Sequence, residues 1–306
     1  MRSTGAATRS RCCAFAVCIA LVAAGCVGPE EAVDLGREFP DTTKMGEIQA
    51  SGVIRIALPE EGLPLAADVG GSAKGIAADL GDYIASTLGV MAERVPAPAD
   101  TVLSMVEAPA DPEADPEVDI AFTNVPLTEE VVRENSFTNP YFIAHQRLLV
   151  HPDAGIENVS QLGGRRVCSY LSPDTGVDVS LLVDDVEIVE ADDPALCGSL
   201  LDSGRVDAIT AATDALVKVA KRLDHEGGDG PYEIVGDELN TQGYSIATVP
   251  GAPSFVTYLN SVLRRAETDG VMDRIYDRWL SPYLEQQEPP QLSLEESAAL
   301  YPTAQR

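Results

Sequence analysis

The sequence predicts an α/β protein made of two lobes. The chain has 306 residues, more than one hydrophobic core usually organises, so two lobes with short tails fit the length. Apolar runs typical of buried strands alternate with amphipathic segments typical of helices, and this order predicts parallel sheets covered by helices. The composition, 45% hydrophobic and 23% charged, is that of a globular rather than a disordered protein.

The first 26 residues have the pattern of an export signal. Three arginines precede an apolar run at 12–24 that is short for a membrane span, and small residues then lead to Cys26. The segment is similar to a bacterial lipoprotein signal, which makes Cys26 the expected lipidated N-terminus at the outer face of the cell membrane. Ala23 stands where such signals usually have leucine, so secretion without lipid is one alternative, and a buried N-terminal helix is another.

The charge of the chain bears on its partners. A formal net charge of −28 and an isoelectric point near 4.2 argue against nucleic-acid binding, which depends on a basic surface. An acidic body is also repelled by anionic lipid headgroups, so membrane attachment is expected to depend on the lipid at Cys26.

The cysteines agree with export. Of six cysteines, three lie within the signal and Cys26 is assigned to lipid, which leaves Cys168 and Cys197. An even pair in an exported protein is most simply a disulfide, and two buried free thiols are the alternative. The bond would close a loop of about 30 residues and stabilise the fold by roughly 3 to 4 kcal/mol.

The first half of the chain predicts one α/β unit. An acidic tether at 27–50 precedes it, and a Pro- and acid-rich loop is expected at 107–117. The predicted elements are strands at 52–58, 118–122 and 147–150, and helices at 75–88 and 128–134.

The second half predicts a second unit and two closing helices. A polar tail at 284–306, with a short helix at 293–300, ends the chain. The predicted strands are 166–170, 186–189, 206–210, 232–235 and 244–248, and the predicted helices are 177–183, 194–203, 214–223, 254–268 and 270–279.

The stretch at 118–141 predicts one wall of a ligand cleft. Its apolar strand suits a sheet buried on both faces, and it ends at Thr123 and Asn124, whose side chains favour turns. Open α/β sheets bind ligands at the carboxyl ends of such strands. Two alternative roles therefore remain for these side chains: a hydrogen bond to a ligand, or a hydrogen bond that caps the turn.

Six blocks of the sequence resemble a known family, in the family's order. They are FPDTTKMGEIQASGVIRIAL, GIAADLGDYIASTLG, VDIAF with FTNPY, GGRRVCSY with ALCGSLLDSGRVDAIT, QGYSIA, and LNSVLRRAETDGVMDRIYDRWL. The family is the family 3 extracellular solute-binding proteins of amino-acid ABC importers, and the blocks are most similar to the actinobacterial glutamate/glutamine-binding lipoproteins. Cys168 and Cys197 match the cysteine pair of that branch, which adds support for the disulfide.

The resemblance implies a two-lobed, periplasmic-binding-protein-like (type II) fold. Two segments would cross between the lobes, near 142–150 and 241–250, and the lobes would close on a solute. The implied organisation is a signal with its lipidated cysteine at 1–26, the tether at 27–50, lobe 1 at 51–145 and 242–283, lobe 2 at 146–241, and the polar tail at 284–306.

The implied pocket positions fit the family less well than the scaffold does. A threonine and an arginine five residues later hold the α-carboxylate in the family, and the matching positions here are Pro126 and Val131. The acid for the α-ammonium group matches Ala212, and the loop at 62–65 has no aromatic ring to cover a ligand. An ordinary α-amino acid in the usual pose would leave its charges unpaired, at a cost of several kcal/mol.

Candidate solute contacts lie at strand ends and in the turns that follow them. Arg133 could replace the missing carboxylate partner or be a solvated helix charge, and Asp214 could replace the missing acid or cap a helix with Thr213. The full set is Leu65, Thr123, Asn124, Arg133, Tyr170, Ser172 and Asp214.

The function expected from these observations is solute binding rather than catalysis. The three histidines belong to no catalytic motif, and no nucleophile, metal-ligand or phosphate-loop constellation is found, so no cofactor or metal is expected. The expected protein is a monomer that presents a small polar solute to an ABC permease. A sensor or accessory lipoprotein that acts on a membrane partner without transport is the alternative, and neighbouring permease and ATPase genes would favour the first.

Overall fold

A computed structural model describes residues 38–60, 64–68, 72–107, 116–124, 127, 131–132, 136–170, 176–227 and 231–284. The export signal with Cys26, most of the predicted loop at 107–117 and helix at 128–134, and the tail helix at 293–300 lie outside these residues. Within the described part, no helix combines the length and apolar character needed to cross a membrane.

The described elements alternate between strands and helices. The strands are β1 (Val53–Pro59), β2 (Ala67–Asp68), β3 (Ala73–Lys74), β4 (Met91–Ala97), β5 (Ile120–Phe122), β6 (Ser136–Val150), β7 (Arg166–Ser169), β8 (Glu187–Glu190), β9 (Ala208–Ala212), β10 (Glu233–Val235) and β11 (Thr241–Thr248). The helices are α1 (Lys44–Ser51), α2 (Ile76–Leu88), α3 (Pro194–Asp202), α4 (Thr213–Glu226), α5 (Pro253–Thr268) and α6 (Val271–Leu280). Short 3₁₀ turns lie at Ser104–Val106, Pro152–Ala154, Val159–Gln161 and Val179–Leu181.

The strands form two sheet regions with the same design. Lobe 1 has the order β4-β1-β5-β11-β6, in which β4, β1 and β5 are parallel and β11 and β6 continue antiparallel. Lobe 2 has the order β8-β7-β9-β6-β10, again with three parallel strands followed by two antiparallel ones. The two-lobed α/β fold predicted from the sequence is confirmed.

One strand belongs to both lobes. The first part of β6 pairs with β11, from Ser136 opposite Thr248 to His145 opposite Thr241. From Gln146 onward, β6 pairs with β9 in lobe 2. The prediction of a separate short strand at 147–150 is corrected, because these residues are the last part of this 15-residue strand.

Buried apolar residues cover both faces of each sheet. In β5, Ile120 and Phe122 face a cluster formed with α1, α2, α5 and α6, whereas Ala121 faces a second cluster with Val106 and Leu127. Alternate residues of a strand point to opposite faces, so a strand covered on both sides must be apolar throughout. This explains the continuous apolar run that the sequence shows.

Local signals determine where α1 and α2 begin. The side chain of Thr43 accepts a hydrogen bond from the Gly46 amide at 3.1 Å and so caps α1. Before α2, Gly75 has a φ of 131°, and a Cβ atom there would lie 2.2 Å from the carbonyl oxygen of Leu65. Only glycine tolerates this combination of backbone angle and close approach.

Helix α1 corrects the tether predicted for 27–50. Met45 and Ile48 are buried in the lobe 1 cluster, so the last part of that segment belongs to the fold. A buried carboxylate also holds the helix. Asp119 lies 2.8 Å from Lys44 Nζ and accepts a hydrogen bond from the Arg55 amide at 2.7 Å. Burial of apolar residues and this ion pair together dock α1 on β1 and β5.

Two element predictions in lobe 2 differ from the structure. The helix expected at 177–183 is one 3₁₀ turn, Val179–Leu181, capped by the Asp178 side chain through the Ser180 amide at 2.9 Å. A side chain that bonds the backbone two residues on favours a turn over a continuing helix. The strand expected at 206–210 is shifted to Ala208–Ala212, where it pairs with β6.

The predicted disulfide is present in lobe 2. Cys168 in β7 and Cys197 in α3 are bonded, with their Cα atoms 5.5 Å apart and both side chains fully buried. The bond ties the sheet to the helix that covers it. The alternative of two free thiols is therefore wrong.

Candidate functional site

The directions of the strands place the two carboxyl edges opposite each other. Strand β5 is antiparallel to β11, and β11 is antiparallel to β6, so β5 and β6 run in the same direction. Since β6 runs from lobe 1 into lobe 2, the carboxyl end of β5 points toward lobe 2. Strand β9 is antiparallel to β6, so its carboxyl end points back toward lobe 1. The candidate site lies between these edges, where α/β sheets bind ligands.

The lobe 1 side holds three of the predicted contacts. Thr123 is fully buried, and its hydroxyl group donates to the carbonyl oxygen of Ser245 at 2.9 Å, so it extends the ladder between β5 and β11 rather than capping a turn. Leu65 is 1% exposed in the lobe 1 cluster, which leaves it no surface for a solute in this conformation. Asn124 is half-buried at the carboxyl end of β5. Among the lobe 1 candidates that the structure describes, Asn124 is the one that keeps accessible surface.

The lobe 2 side holds Tyr170 and Asp214. Tyr170 follows β7 directly, is half-buried, and donates its backbone amide to the Thr210 carbonyl at 3.1 Å. Asp214 is half-buried in the first turn of α4. Because β7 and β9 are parallel neighbours, both residues lie at the same edge. With Asn124, at the carboxyl end of β5 in lobe 1, they are the three described candidates that keep accessible surface.

The helix-capping role considered for Thr213 and Asp214 is wrong. Helix α4 begins at Thr213, its N-cap is Ala212, and no side chain caps it. The Thr213 hydroxyl instead accepts a hydrogen bond from the His145 amide at 3.3 Å, and Asp214 accepts one from the Tyr244 hydroxyl at 3.1 Å. Both residues at the start of α4 therefore bond to the strands that cross between the lobes.

Buried aromatic residues lie next to the carboxyl end of β5. Tyr141 is fully buried, contacts Phe122 edge to face at 5.0 Å between ring centroids, and donates its hydroxyl to the Thr123 carbonyl at 3.3 Å. Burial, with a smaller contribution from the negative charge of Asp214, raises the pKa of Tyr141 far above its usual range.

A buried polar cluster joins the crossing segments to lobe 2. Gln146 is fully buried, and its side-chain amide bonds both backbone groups of Val177, at 2.7 and 2.8 Å, and the Thr210 hydroxyl at 2.9 Å. Its backbone amide donates to Asn240 Oδ1 at 2.9 Å, beside the second crossing. The sequence analysis missed this cluster, because its members are 31 to 94 residues apart along the chain.

The histidine next to Gln146 lies at the same crossing. His145 Nδ1 is 3.1 Å from the Asn240 carbonyl oxygen and 3.3 Å from a carboxylate oxygen of Glu238. The Thr241 hydroxyl group also lies 3.3 Å from Nδ1, so three oxygen atoms surround this ring nitrogen. Within the described residues, no group of three or more His, Cys, Asp or Glu side chains is arranged to hold a metal ion.

The two described residues that the resemblance matches to the family's charge partners carry apolar side chains. Val131 is half-buried and packs against the cluster on the second face of the lobe 1 sheet. Ala212 packs at the edge of the first lobe 1 cluster. Pro126, Arg133 and Ser172 lie outside the described residues, so the roles considered for Arg133 and Ser172 stay predictions.

Known proteins share this architecture and sequence pattern. The glutamine-binding protein GlnH of an ABC transporter from Bacillus subtilis is 26% identical over 165 residues, which are 54% of this chain and 58% of GlnH. The glutamate-binding protein GluB from Corynebacterium glutamicum is 28% identical over 144 residues, 46% of this chain and 48% of GluB. The chain thus spans about half the length of the curated relatives it matches.

Solved structures cover more of the chain. An ancestral cationic amino acid solute-binding protein matches 78% of this chain and all of its own with a TM-score of 0.66 at 21% identity. An ancestral cyclohexadienyl dehydratase, an enzyme, matches 79% of this chain and 98% of its own with a TM-score of 0.54 at 20% identity. At these identities the likeness concerns the fold. The profile of the bacterial extracellular solute-binding proteins, family 3, matches residues 54–282, and the chain belongs to this family.

Proposed function

We propose that this protein is the lipid-anchored, extracellular solute-binding subunit of an ABC importer. It acts as a monomer tethered through Cys26 at the outer face of the cell membrane. The observation that carries the proposal is that β6 pairs with β11 in one sheet and with β9 in the other, and that the carboxyl edges of the two sheets face each other. A solute bound between such edges contacts both lobes, so it stabilises the closed arrangement by its differential affinity.

The solute class follows from the relatives and from the site together. GlnH and GluB are named for glutamine and glutamate, which makes an amino-acid-like solute the starting point. Val131 and Ala212 supply no charge where the family pairs the carboxylate and the ammonium group. An unpaired buried charge costs about 3 kcal/mol or more, and about 3 kcal/mol weakens binding more than a hundredfold. The solute is therefore a small polar molecule that does not rely on both of those charge pairs.

Three accessible side chains are assigned to this solute. Asn124 offers an amide with donor and acceptor groups, Tyr170 offers a ring and a hydroxyl group, and Asp214 offers a carboxylate. They suit a molecule with hydrogen-bonding groups and at most one cationic centre near Asp214. Because Asp214 already accepts a bond from Tyr244, a solute cation would share this carboxylate rather than neutralise a free one.

A non-transport role is the second candidate. The apolar residues Val131 and Ala212 favour it, since a sensor or accessory lipoprotein can keep the two lobes and the crossing segments without the charged groups that bind an amino acid. Growth or uptake after gene deletion separates the two candidates. Loss of uptake of one solute favours transport, whereas unchanged uptake with a changed response of a membrane partner favours sensing. No catalytic role is proposed, because the likeness to the dehydratase concerns the fold.

A thermal-shift screen of the purified mature chain tests the proposal. The panel contains the twenty amino acids, simple amines, sugars and small anions at about 1 mM, since a millimolar dissociation constant corresponds to only about 4 kcal/mol. One compound class is expected to raise the melting temperature by several degrees. Asp214→Asn or Asn124→Ala should reduce that shift, whereas Glu187→Gln, at the opposite edge of lobe 2, should not. A panel without any shift, or an equal shift in all variants, would overturn the assignment.

A further inference from the structure

Helix α4 contacts both lobes through two different faces. Its apolar residues on one side, Leu216, Val219, Ala220 and Leu223, are buried in the lobe 2 cluster with the disulfide. Asp214, Val217, Lys221 and Asp224 are spaced by three, four and three residues, so they share a second face. Every member of that second face contacts lobe 1.

Polar contacts lie at both ends of the second face. At the start of the helix, Asp214 accepts a hydrogen bond from the Tyr244 hydroxyl of β11 at 3.1 Å. Two turns later, the Lys221 ammonium group donates to the carbonyl oxygen of Trp279, at the end of α6. One turn further, the Tyr283 hydroxyl donates to a carboxylate oxygen of Asp224. The contacts therefore extend over most of the helix.

An apolar contact lies between the polar ones. Val217 is fully buried, and it belongs to the lobe 1 cluster rather than to that of its own lobe. Tyr283 is half-buried and packs against the clusters of both lobes. Burial also lowers the pKa of Lys221, so its bond to the Trp279 carbonyl is made in a partly dry environment. This surface combines apolar burial with directional hydrogen bonds.

The lobe 1 partner of this surface is itself held firmly. Trp279 Nε1 donates to Asp79 Oδ2 at 2.8 Å, and Arg278 Nη1 bonds the same carboxylate oxygen at 2.7 Å. These bonds join the end of α6 to the first turn of α2. Because these bonds tie α6 to lobe 1, a movement of α4 relative to lobe 1 separates Lys221 from the Trp279 carbonyl.

We propose that the face of α4 formed by Asp214, Val217, Lys221 and Asp224 is a conformational latch that sets the balance between arrangements of the two lobes. The proposal rests on the proposed function, in which the lobes rotate about β6 and β11 when a solute binds. A rotation that keeps β6 and β11 paired changes the distances in contacts that lie away from the rotation axis. Hydrogen bonds weaken steeply beyond about 3.5 Å, so the polar contacts of the latch hold in one arrangement only. Removing them shifts the populations of the lobe arrangements.

Distance measurements between the lobes test the latch without any solute. Spin labels are attached at Met91→Cys in lobe 1 and Leu181→Cys in lobe 2, since these side chains are 70% and 82% exposed. The latch variant combines Lys221→Met with Tyr283→Phe, which remove the polar groups and keep the apolar parts. The control is Arg222→Gln on the same helix, where Arg222 forms an exposed pair with Glu226.

Double electron–electron resonance should separate the variants. We expect the latch variant to shift the mean interlobe distance by several ångströms or to add a second distance population. The control should give the same distance distribution as the wild type. A latch variant that melts cooperatively and overlays the wild type would overturn the proposal. If the double variant does not fold, Tyr283→Phe alone is judged by the same criterion. Because no solute is added, a negative screen for solutes would leave this result interpretable.

Discussion

The Tyr244 hydroxyl donates a hydrogen bond to Asp214 Oδ1 over 3.1 Å, and this bond joins the second crossing strand to the first turn of α4. Asp214 is also the one accessible acid among the described candidates for solute contact. The same carboxylate therefore touches the proposed binding region and the surface between the lobes. A solute that drew Asp214 away from Tyr244 would weaken one contact of the latch.

Replacing Tyr244 by phenylalanine should reveal this bond. A hydrogen bond to a charged group contributes about 1.5 to 3 kcal/mol, so we expect Tyr244→Phe to lower the unfolding free energy by about that amount. Urea unfolding of the mature chain measures the change. Tyr244→Phe in an Asp214→Asn background should cost less than in the wild type, because the charged acceptor is already lost. Equal costs in both backgrounds would show that the two groups do not interact.

The carboxylate of Asp119 should be among the most important charges for stability. It is 3% exposed and lies against Lys44 and Arg55, so Asp119→Asn removes the negative charge from two cations. Breaking a buried pair costs about 3 to 5 kcal/mol, and Arg55 is partly exposed, so we expect about 3 kcal/mol. The matched control is Glu47→Gln, whose exposed pair with Lys44 at 3.9 Å should contribute less than about 1 kcal/mol. Equal effects in denaturant unfolding would contradict this ranking.

The lowered pKa of Asp207 predicts that the protein loses stability in acid. Burial raises the pKa of the Asp207 carboxyl group, but hydrogen bonds and charge from Arg166, with a smaller contribution from the charge of Arg165, outweigh burial and hold this pKa below its usual value. A carboxylate with a depressed folded-state pKa contributes stability above its unfolded-state pKa near 3.8 and loses it as pH falls through the folded value. The wild type should therefore lose stability below about pH 4.

The variant Asp207→Asn isolates this acid-sensitive contribution. Its unfolding free energy should fall less than that of the wild type between about pH 5 and pH 2.5, since the titrating group near pH 4 is gone. Parallel curves for the two proteins would mean that Asp207 does not provide the acid sensitivity.

Gln146 should protect one particular amide. The Val177 amide donates to Gln146 Oε1 at 2.7 Å, so its hydrogen exchange should accelerate strongly in Gln146→Met, which keeps the length but not the amide group. Thr210→Val is the matched control, because it removes the bond between Thr210 and Gln146 Nε2 and leaves the contact with Val177. Similar acceleration in both variants would indicate general loosening rather than this contact.

The sequence predicted the fold well because its signals are local. The apolar run at 118–122 and the glycine after the helix at 75–88 act on neighbouring residues, and both elements are present in the structure. The helix expected at 177–183 was wrong, because periodicity cannot weigh the competing cap that Asp178 provides. Helix α1 was assigned to a tether, since its packing depends on partners such as Asp119, distant in sequence.

The site was predicted less completely than the fold, for a physical reason. Asn124 and Tyr170 could be proposed from the sequence because both follow predicted buried strands, and the structure leaves both half-buried at strand ends. No local pattern shows that the Thr123 hydroxyl donates to the Ser245 carbonyl. Nor does one show that the Tyr244 hydroxyl donates to Asp214, 30 residues away in the sequence. Long-range hydrogen bonds decide which polar side chains remain for a solute, and single-sequence patterns do not contain them.

Titration calorimetry of the mature chain with L-glutamate and L-glutamine tests the central claim most directly. With Val131 and Ala212 in place of charge partners, we expect dissociation constants weaker than about 0.1 mM for both, because losing about 3 kcal/mol moves micromolar binding into that range. A polar solute from the thermal-shift screen should bind more tightly and depend on Asp214. Low-micromolar binding of glutamate or glutamine that Asp214→Asn leaves unchanged would contradict the account.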